Sequence, residues 1–458
     1  MTGAAPEPGP SSPGGRLTTA QGAAMYVGVV LGTGVIALPA LAARVAGPAS
    51  LLAWLGLAIF SAPLAATFAA LGARYPDAGG VATFARRAFG DRAATVVGWC
   101  FYFAVPFGAP AAALWAGAYI SSALNAGTTV TDVTAVGLMT VVPLANAFGV
   151  QVSGRLQLGL SGLLVAFLIT AICFSLPSAR GANLRPFAPH GWAAIGSAAD
   201  LLVWCFLGWE AVTYLSAEFR RPARDVPRAT AAAVVVAGGM YLAIAFAVIA
   251  VLGPAAATTN APLADLMARG LGGNGRILAA AAGLMLTLGA MNAYYAGSAK
   301  LGAALGRDAG LPAWLSRGSV AGQVPRRSLG LVSVLAMAVL VFDVTFGIGV
   351  KPMVLLTVGL LVVVYGVGVA AAIRLLPRRS KARAAAMVSL SVVVALLVMS
   401  GVYLIWPVVV TGGALLYARA AGRRQGRQVQ RGRRGRGTRD LLPVREGGEG
   451  SGTGNPAR

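Results

Sequence analysis

One acidic residue lies inside a long apolar run. Residues 201–217 read LLVWCFLGWEAVTYLSA, where Glu210 follows Gly208 and Trp209. If this run crosses a bilayer as a helix, the ten residues to Arg220 place Glu210 about 15 Å from the charged boundary, near the midplane. A carboxyl at that depth costs ~2.5–3.5 kcal/mol and usually marks an ion or proton path. We therefore expect Glu210 to take and release a proton, and the alternative is a hydrogen-bonded glutamate that braces the helix.

A second unusual stretch lies in the first apolar segment, where residues 26–39 read YVGVVLGTGVIALP. Gly32, Thr33 and Gly34 weaken a helix because glycine loses much backbone entropy, and Pro39 removes a further hydrogen bond. Inside a bilayer, unpaired backbone is tolerated only where it lines a cavity or meets a bound group. The stretch is a candidate ligand site, with close helix packing through small residues as the alternative.

The composition requires membrane-spanning helices to hold these residues. Of 458 residues, 57% are apolar and 11% are charged, which excludes an ordinary soluble domain of this length. A spanning helix needs ~20 mostly apolar residues, and the sequence predicts twelve such spans. The predicted spans are 17–43, 48–72, 93–123, 130–148, 157–176, 195–217, 229–253, 277–305, 329–348, 352–376, 384–400 and 402–420.

Basic residues orient the predicted bundle. With a cytoplasmic N-terminus, the inner loops between the spans carry 19 Lys and Arg residues and the outer loops carry six. This asymmetry follows the positive-inside rule, and an even number of spans places both termini in the cytoplasm. The net charge of +23 is then mostly a topology signal, so no nucleic-acid partner is expected.

The two ends of the chain are predicted to be disordered. Residues 1–16 are rich in Pro, Gly and Ser, and residues 421–458 continue an Arg-rich stretch with nine arginines between Arg419 and Arg439. We expect this tail to bind anionic lipid on the cytoplasmic face, and RNA or another acidic partner is the alternative. The sequence leaves open whether the protein is a monomer or a homodimer.

The positions of the two weak helices indicate an internal repeat. Spans one and six each carry glycine near mid-depth, and five spans separate their starts. When a repeat has an odd number of spans, its second copy crosses the membrane in the opposite orientation. Residues 17–176 and 195–376 are therefore predicted to form two inverted repeats, and two further spans follow at 384–420. Matching weak spots in inverted halves are typical of a secondary transporter with a midplane site.

Four stretches carry a family resemblance: Leu31–Pro48, Tyr75–Gly90, Trp204–Ala229 and Gly306–Arg317. They are similar to the amino acid/polyamine/organocation (APC) transporter superfamily, and within it to the bacterial exporters of methionine and branched-chain amino acids. The resemblance implies an all-α polytopic membrane protein with twelve transmembrane helices. Its fold would be a LeuT-like 5+5 inverted repeat with discontinuous helices 1 and 6 plus two additional helices.

The resemblance also implies a substrate site between the two broken helices. The backbone of Gly32, Thr33 and Gly34 would receive the substrate carboxylate, which exposed helix amides favour. Carbonyls of the sixth helix would receive the ammonium group, and the Trp204 side chain would close over the substrate. The implied substrate-binding residues of helices 6 and 8 are Trp204, Cys205, Phe206, Leu207, Met291 and Asn292. Glu210 would take part in proton coupling.

Charged residues of the inner loops are candidates for a gate. They offer ion pairs that form when the inner gate shuts and separate when it opens. The alternative is that they only mark topology, since surface ion pairs contribute ~0–1 kcal/mol. The candidate gating residues are Asp77, Arg86, Arg87, Glu218, Asp225 and Arg228.

The leading hypothesis is a proton-coupled secondary transporter that exports neutral apolar L-amino acids (methionine, leucine, isoleucine, valine) across a bacterial cell membrane. No other acidic residue is expected in the spans, which argues against a cationic substrate. The alternatives are an importer of the same superfamily, a transport-inactive sensor, and a lipid-linked glycosyl transferase, which would need paired carboxylates. The sequence holds no GxxxxGK[ST] motif for ATP, so no cofactor, metal or enzyme activity is expected and a proton gradient is the driving force.

Overall fold

A computed structural model of the protein describes residues 17–75, 80–149, 154–210, 216, 219–318 and 324–420, and for residues 154–158 the backbone alone. The described chain is helical, and its only β-type pairing is an isolated bridge between Leu17 and Phe219. Asp77 and Glu218, two of the candidate gating residues, lie outside the described residues. So do both predicted terminal segments.

Fifteen helices are numbered here in chain order, with short 3-10 turns between some of them. They are α1 (Thr19–Leu31), α2 (Gly34–Ala46), α3 (Ser50–Arg74), α4 (Gly80–Phe89), α5 (Asp91–Leu124), α6 (Thr128–Ala147), α7 (Gly154–Ser175), α8 (Ala194–Leu202), α9 (Pro222–Leu252), α10 (Pro262–Leu271), α11 (Gly273–Arg307), α12 (Arg326–Phe346), α13 (Val350–Leu375), α14 (Lys381–Met399) and α15 (Gly401–Ala420).

Ten helical segments of the described chain are long and apolar enough to cross a membrane, so the protein is an all-α polytopic membrane protein. Two shorter apolar segments, Thr19–Leu31 and Ala194–Phe206, fall where the sequence predicts the broken first and sixth spans. The twelve-span count and the inverted repeat remain predictions.

Most helices begin or end a few residues outside the apolar runs that predict them. Among the unbroken spans, the largest difference is at α9, which starts at Pro222 and not at 229. Proline fits the first turn of a helix because its missing N–H needs no partner there, and Asp225 adds a favourable negative charge at the same end. The helices therefore extend beyond the predicted spans, and an apolar run marks only the part of a helix that is expected to lie in lipid.

Two short helices, α4 and α10, were not predicted. In α4 the buried residues Val81, Phe84, Ala85 and Ala88 follow the i, i+3, i+4, i+7 spacing of one apolar face. α10 likewise buries one face. Both helices are too short to span a bilayer, so the length of their apolar runs gives no sign of them.

Most of the loop arginines lie at one end of the bundle, the end that holds Arg86 and Arg326. It is called the arginine-rich end. There Arg86 of α4 lies 3.6 Å from Asp308, which follows α11. Arg326 at the start of α12 donates to the carbonyl oxygen of Ala147 at the end of α6, at 3.1 Å. These contacts place the ends of α6 and α11 and the starts of α5 and α12 together, as antiparallel neighbours require.

The opposite end is tied by a second set of contacts. Arg44 of α2 donates to the carbonyl oxygen of Ala257 at 2.8 Å, in the loop before α10. Arg276 of α11 donates to the side-chain oxygen of Asn125 at 3.4 Å, at the end of α5. α5 and α13 are the most buried of the long helices, whereas α14 and α15 are the least buried. The centre of the bundle is therefore built around α1, α2, α5, α8 and α13.

Candidate functional site

The first predicted span is interrupted between α1 and α2. Gly32 has φ +29° and ψ −156°, which ends α1, and α2 starts two residues later at Gly34. The positive φ favours glycine at this position. Thr33 caps α2 without a side-chain hydrogen bond, so its hydroxyl leaves the first-turn amides of α2 available.

The sixth predicted span is interrupted after α8. A 3-10 turn at Val203–Phe206 follows α8, Leu207 is extended, and Gly208 has φ +119°. The two interruptions are adjacent: a Cβ atom at Gly34 would lie 2.7 Å from Cys205 Sγ and 2.8 Å from Trp204 Cδ1. Only glycine at position 34 therefore permits this approach of α2 to the turn.

A tyrosine from α9 connects the two interruptions. The Tyr241 hydroxyl lies within hydrogen-bonding distance of the carbonyl oxygens of Val30 and Cys205, 2.9 Å from the latter. Helix ends leave carbonyls without an intrahelical partner, and a buried unpaired carbonyl is costly. Tyr241 thus stabilises both broken ends in one place.

Glu210 folds back onto the interruption that precedes it. Its Oε2 atom accepts the Gly208 N–H at 3.0 Å and also accepts a hydrogen bond from the Tyr365 hydroxyl of α13. The Gly208 nitrogen lies 2.8 Å from the same hydroxyl oxygen. Tyr365 in turn packs edge-on against Phe68 of α3. A proton gained or lost at Glu210 therefore acts directly on the backbone of the sixth span and on α13.

A cavity of about 220 Å³ lies where the two interruptions meet. Its walls come from α1 and α2, from the segment after α8, and from α5, α11 and α13. Among the described residues that line it, Glu210 is the only charged one. The lining residues are Val29, Val30, Gly32, Thr33, Gly34, Phe101, Ala104, Val105, Gly108, Trp204, Leu207, Gly208, Glu210, Tyr294, Thr357 and Leu361.

Two tryptophans cover the cavity on the side away from the arginine-rich end. Trp204 meets Trp115 of α5 edge-to-face, with ring centroids 5.4 Å apart and an interplanar angle of 81°. Both side chains are buried. Trp115 lies on the part of α5 beyond Gly108, so the indole pair lies between the cavity and the far side of the bundle. Trp204 therefore forms part of the cavity wall on that side, and Trp115 packs behind it.

Only some of the predicted substrate-binding residues line the cavity. Gly32, Thr33, Gly34, Trp204 and Leu207 line the cavity, as does Glu210. Cys205 and Phe206 are buried beside it and do not line it. Phe206 packs on Trp54 and Tyr241.

The predicted pair from the eighth helix lies off the cavity. Met291 is fully buried, and the Asn292 side-chain oxygen accepts a hydrogen bond from Asn146 at 2.9 Å. Tyr294 lines the cavity from α11 in their place. Neighbouring residues on a helix point about 100° apart, so an error of two positions changes the face that a residue occupies.

Two further walls were not predicted. α5 contributes Phe101, Ala104, Val105 and Gly108, and α13 contributes Thr357 and Leu361. Both helices are apolar on every side, so no periodicity distinguishes a cavity face from a packing face. Tyr365 did carry a signal, because a tyrosine hydroxyl inside a spanning helix needs a polar partner and Glu210 was available.

The expectation that no other acid lies in the spans is wrong. Asp200 of α8 is buried and accepts a hydrogen bond from the Ser400 hydroxyl at 3.0 Å. Asp343 is buried near the end of α12, where it accepts the Gly349 N–H at 2.7 Å. Each has a local partner, which makes its burial tolerable, and neither lines the cavity. The argument against a cationic substrate therefore rests on the cavity wall alone.

The candidate gating residues have varied partners. Arg86 pairs with Asp91 at 3.0 Å as well as with Asp308, and Arg87 lies over the Tyr75 ring at 5.0 Å. These side chains connect α3, α4, α5 and the end of α11. Their role in a gate remains a prediction.

Asp225 joins the start of α9 to the start of α1. Its carboxylate accepts the Thr19 hydroxyl at 2.9 Å and the Arg221 N–H at 3.1 Å. Leu17 and Phe219 pair their backbones next to it. Arg228 lies exposed on the same helix. The start of the first span is thus held to the segment after the sixth span and to the start of α9 at the arginine-rich end, by hydrogen bonds.

The family-model comparison gives one match, the amino acid permease family, over residues 17–421. Over 406 residues the chain is 30% identical to the Uncharacterized amino acid permease YecA of Bacillus subtilis (strain 168), across 89% of this chain and 96% of that protein. It is 40% identical over 228 residues to the L-methionine/branched-chain amino acid exporter YjeH of Escherichia coli (strain K12), across 49% and 54%. An uncharacterized transporter of Mycobacterium tuberculosis (strain ATCC 25618 / H37Rv) is 30% identical over 340 residues, across 73% and 76%.

These matches confirm the resemblance carried by the four stretches of sequence, and the names of the relatives support amino acid transport. The stretch of the chain that matches the family includes the whole helical region, with both interruptions and every wall of the cavity. The chain belongs to the amino acid permease family, and it is a multi-pass membrane transporter rather than an enzyme.

Proposed function

We propose that the protein exports neutral apolar L-amino acids (methionine, leucine, isoleucine and valine) by proton-coupled alternating access. The observation that carries the proposal is the cavity at the meeting point of two helix interruptions, with one carboxyl group on its described wall. Exposed amides and carbonyls suit the two charges of a zwitterion, and a protonatable group suits coupling to a gradient.

The backbone supports one orientation of the substrate. The amides of Thr33 and Gly34 lie at the start of α2, where the helix dipole favours a carboxylate, whereas the Gly32 N–H bonds to the Gly28 carbonyl oxygen at 3.3 Å. The single Tyr241 hydroxyl hydrogen is shared between the Val30 and Cys205 carbonyls. The ammonium group then binds carbonyls of the segment between Trp204 and Leu207. Both charges are then balanced by backbone dipoles and not by charged side chains.

The remaining walls select an apolar side chain. Phe101, Ala104, Val105 and Leu361 present hydrocarbon to the cavity. Glu210 is already engaged by Gly208 and Tyr365. A lysine or arginine substrate would bury its charge against apolar walls, which is unfavourable without a dedicated partner.

The proposed orientation of the protein in the membrane follows from the position of the arginine-rich end. The positive-inside rule assigns this end to the cytoplasm, with twelve spans, a 5+5 inverted repeat and both termini inside a bacterial plasma membrane. The tryptophan pair then lies on the outer side of the cavity. The direction of transport is supported by the similarity to the L-methionine/branched-chain amino acid exporter YjeH and not by this geometry.

The test is counterflow into proteoliposomes with a panel of amino acids, repeated with a proton gradient of either sign. We expect methionine, leucine, isoleucine and valine to exchange, and arginine and glutamate not to exchange. Net export should follow a proton gradient of one sign and reverse with the other. Exchange of arginine in preference to leucine would contradict the proposed substrate class. Flux that does not change with a proton gradient of either sign would contradict proton coupling.

A further inference from the structure

A second cavity adjoins the one at the helix interruptions. It has a volume of about 110 Å³ and lies between α1, α7 and α11. Most of the side chains that line it are aliphatic, and they include Leu160, Leu164, Leu286, Ala290 and Ala293. Its described wall carries no charged side chain, so the second cavity suits an apolar group.

The two cavities share one wall. Among the described residues, Val29, Gly32 and Tyr294 line both cavities. Gly32 adds no side chain to this wall, and a Cβ atom built there would meet only backbone oxygens of α1 within 4 Å. Tyr294 has the largest side chain of the three, so its phenol ring is the main part of the partition.

The other described walls leave the first cavity little room to extend. A Cβ atom at Gly108 of α5 would lie 3.3 Å from Trp204 Cη2 and 3.5 Å from Thr357 Cγ2, so these groups are already packed together. A third cavity meets the first at Leu207 and has a volume of only about 30 Å³. The larger adjoining space is therefore the one behind Tyr294.

We propose that Tyr294 sets the upper size limit of the substrate side chain by closing off the second cavity. This proposal rests on the proposed function, because it assumes that an amino acid binds in the first cavity. The side chains of leucine and methionine then end against the Tyr294 ring. The phenyl group of phenylalanine would need the space that this ring closes off, and a close-packed wall resists added volume.

Removing the ring tests the proposal. Tyr294→Ala joins the two cavities, so it should raise the ratio of phenylalanine counterflow to leucine counterflow by about tenfold or more, since one methylene in an apolar pocket changes discrimination by roughly 10–200-fold. The matched control is Tyr295→Ala, which removes the same side chain from the next position of α11. Tyr295 contacts Met139 and lines neither cavity, so this control should leave the ratio unchanged.

Two results would overturn the proposal. One is an unchanged ratio in Tyr294→Ala, because the ring would then not limit the size of the side chain. The other is an unmodified protein that exchanges phenylalanine as fast as leucine, because no size limit would then exist.

A second substitution shows where the added space comes from. Ala290 lines the second cavity and not the first, so Ala290→Leu fills the second cavity alone. In the Tyr294→Ala background it should return most of the ratio to that of the unmodified protein. As a single substitution it should leave leucine counterflow unchanged. A ratio that stays high in the double variant would overturn the proposal, because general loosening of the site would then explain the gain.

If Tyr294→Ala does not fold, the comparison of Tyr294→Leu with Tyr294→Phe decides. Leucine is shorter than tyrosine and opens the partition in part, whereas phenylalanine keeps the ring. The ratio should therefore be higher in Tyr294→Leu, and equal ratios count against the proposal. Failure of the proposed function looks different, because the unmodified protein would then exchange none of these amino acids.

Discussion

At the scale of single residues, the proposed proton coupling depends on Glu210 and Tyr365. Glu210 touches the backbone of the broken sixth span through Gly208 and touches α13 through Tyr365. A change in its protonation alters two hydrogen bonds at once, one to a helix interruption and one to a neighbouring helix. This arrangement gives a proton a direct mechanical effect on the cavity wall.

Replacing Glu210 by glutamine tests the coupling role. Glutamine keeps an oxygen for the Gly208 N–H and the Tyr365 hydroxyl but cannot exchange a proton. We expect Glu210→Gln to abolish the dependence of leucine flux on a pH gradient in proteoliposomes, while leucine binding stays measurable. The matched control is Asp200→Asn, a buried acid of the same span that does not line the cavity and should keep the dependence. If leucine flux through Glu210→Gln still depended on the pH gradient, Glu210 would have no role in proton coupling.

At the scale of helices, the two interruptions stabilise each other through Tyr241. Each interruption alone leaves carbonyls without partners in a region that holds little water. The Tyr241 hydroxyl reaches one carbonyl from each side, Val30 and Cys205. Gly34 allows the close approach that makes this possible.

Removing one hydroxyl tests the stabilising role of Tyr241. Tyr241→Phe leaves buried carbonyls unsatisfied, which costs about 1–3 kcal/mol. We expect a clear fall in the thermal unfolding temperature of the detergent-solubilised protein. Tyr295→Phe is the control, because its hydroxyl contacts the Met139 sulfur, a weak acceptor, so that substitution should lower the temperature much less. Equal effects of the two substitutions would mean that the link between the interruptions contributes no special stability.

The same elements show how far the sequence predicts the site. The interruptions at Gly32–Gly34 and near Gly208 could be predicted because glycine weakens a helix, and a weakened helix inside a bilayer must line a cavity or pack closely on a neighbour. The walls from α5 and α13 could not, since a helix that is apolar on all sides gives no sign of which face it turns to a cavity. The eighth helix shows the intermediate case: the sequence indicated the right region, but Tyr294 and not Met291 or Asn292 reaches the cavity.

At the scale of the whole molecule, side-chain contacts tie the bundle at both ends. On the side away from the arginine-rich end, Trp115 packs on Trp204, and Arg44 bonds to the loop before α10. At the arginine-rich end, the exposed ion pairs of Arg86 contribute little energy each, so they open at small cost. Under the proposed alternating access, these ion pairs separate when the cavity opens toward the arginine-rich end, and the tryptophan pair separates when it opens toward the other side.

The basic tail is expected to act separately from the transport site. Deletion of residues 422–458 should leave leucine counterflow within about twofold of the full-length protein, because the cavity and both ends of the bundle are built from earlier residues. Binding to vesicles that contain anionic lipid should weaken for a peptide of this segment as salt is raised. The amount of folded protein in the membrane, measured by size-exclusion chromatography, serves as the control. Loss of counterflow from folded, truncated protein would assign the tail a part in transport.

The central claim is that two interrupted helices bind both charges of an amino acid through backbone groups. The most direct measurement is the equilibrium affinity of the purified protein for methionine, for its methyl ester and for the analogue that lacks the amino group. We predict that each analogue binds at least about tenfold more weakly, which corresponds to ~1.4 kcal/mol, because each loses one charge-assisted set of hydrogen bonds. Binding of either analogue as tight as that of methionine would contradict the claim.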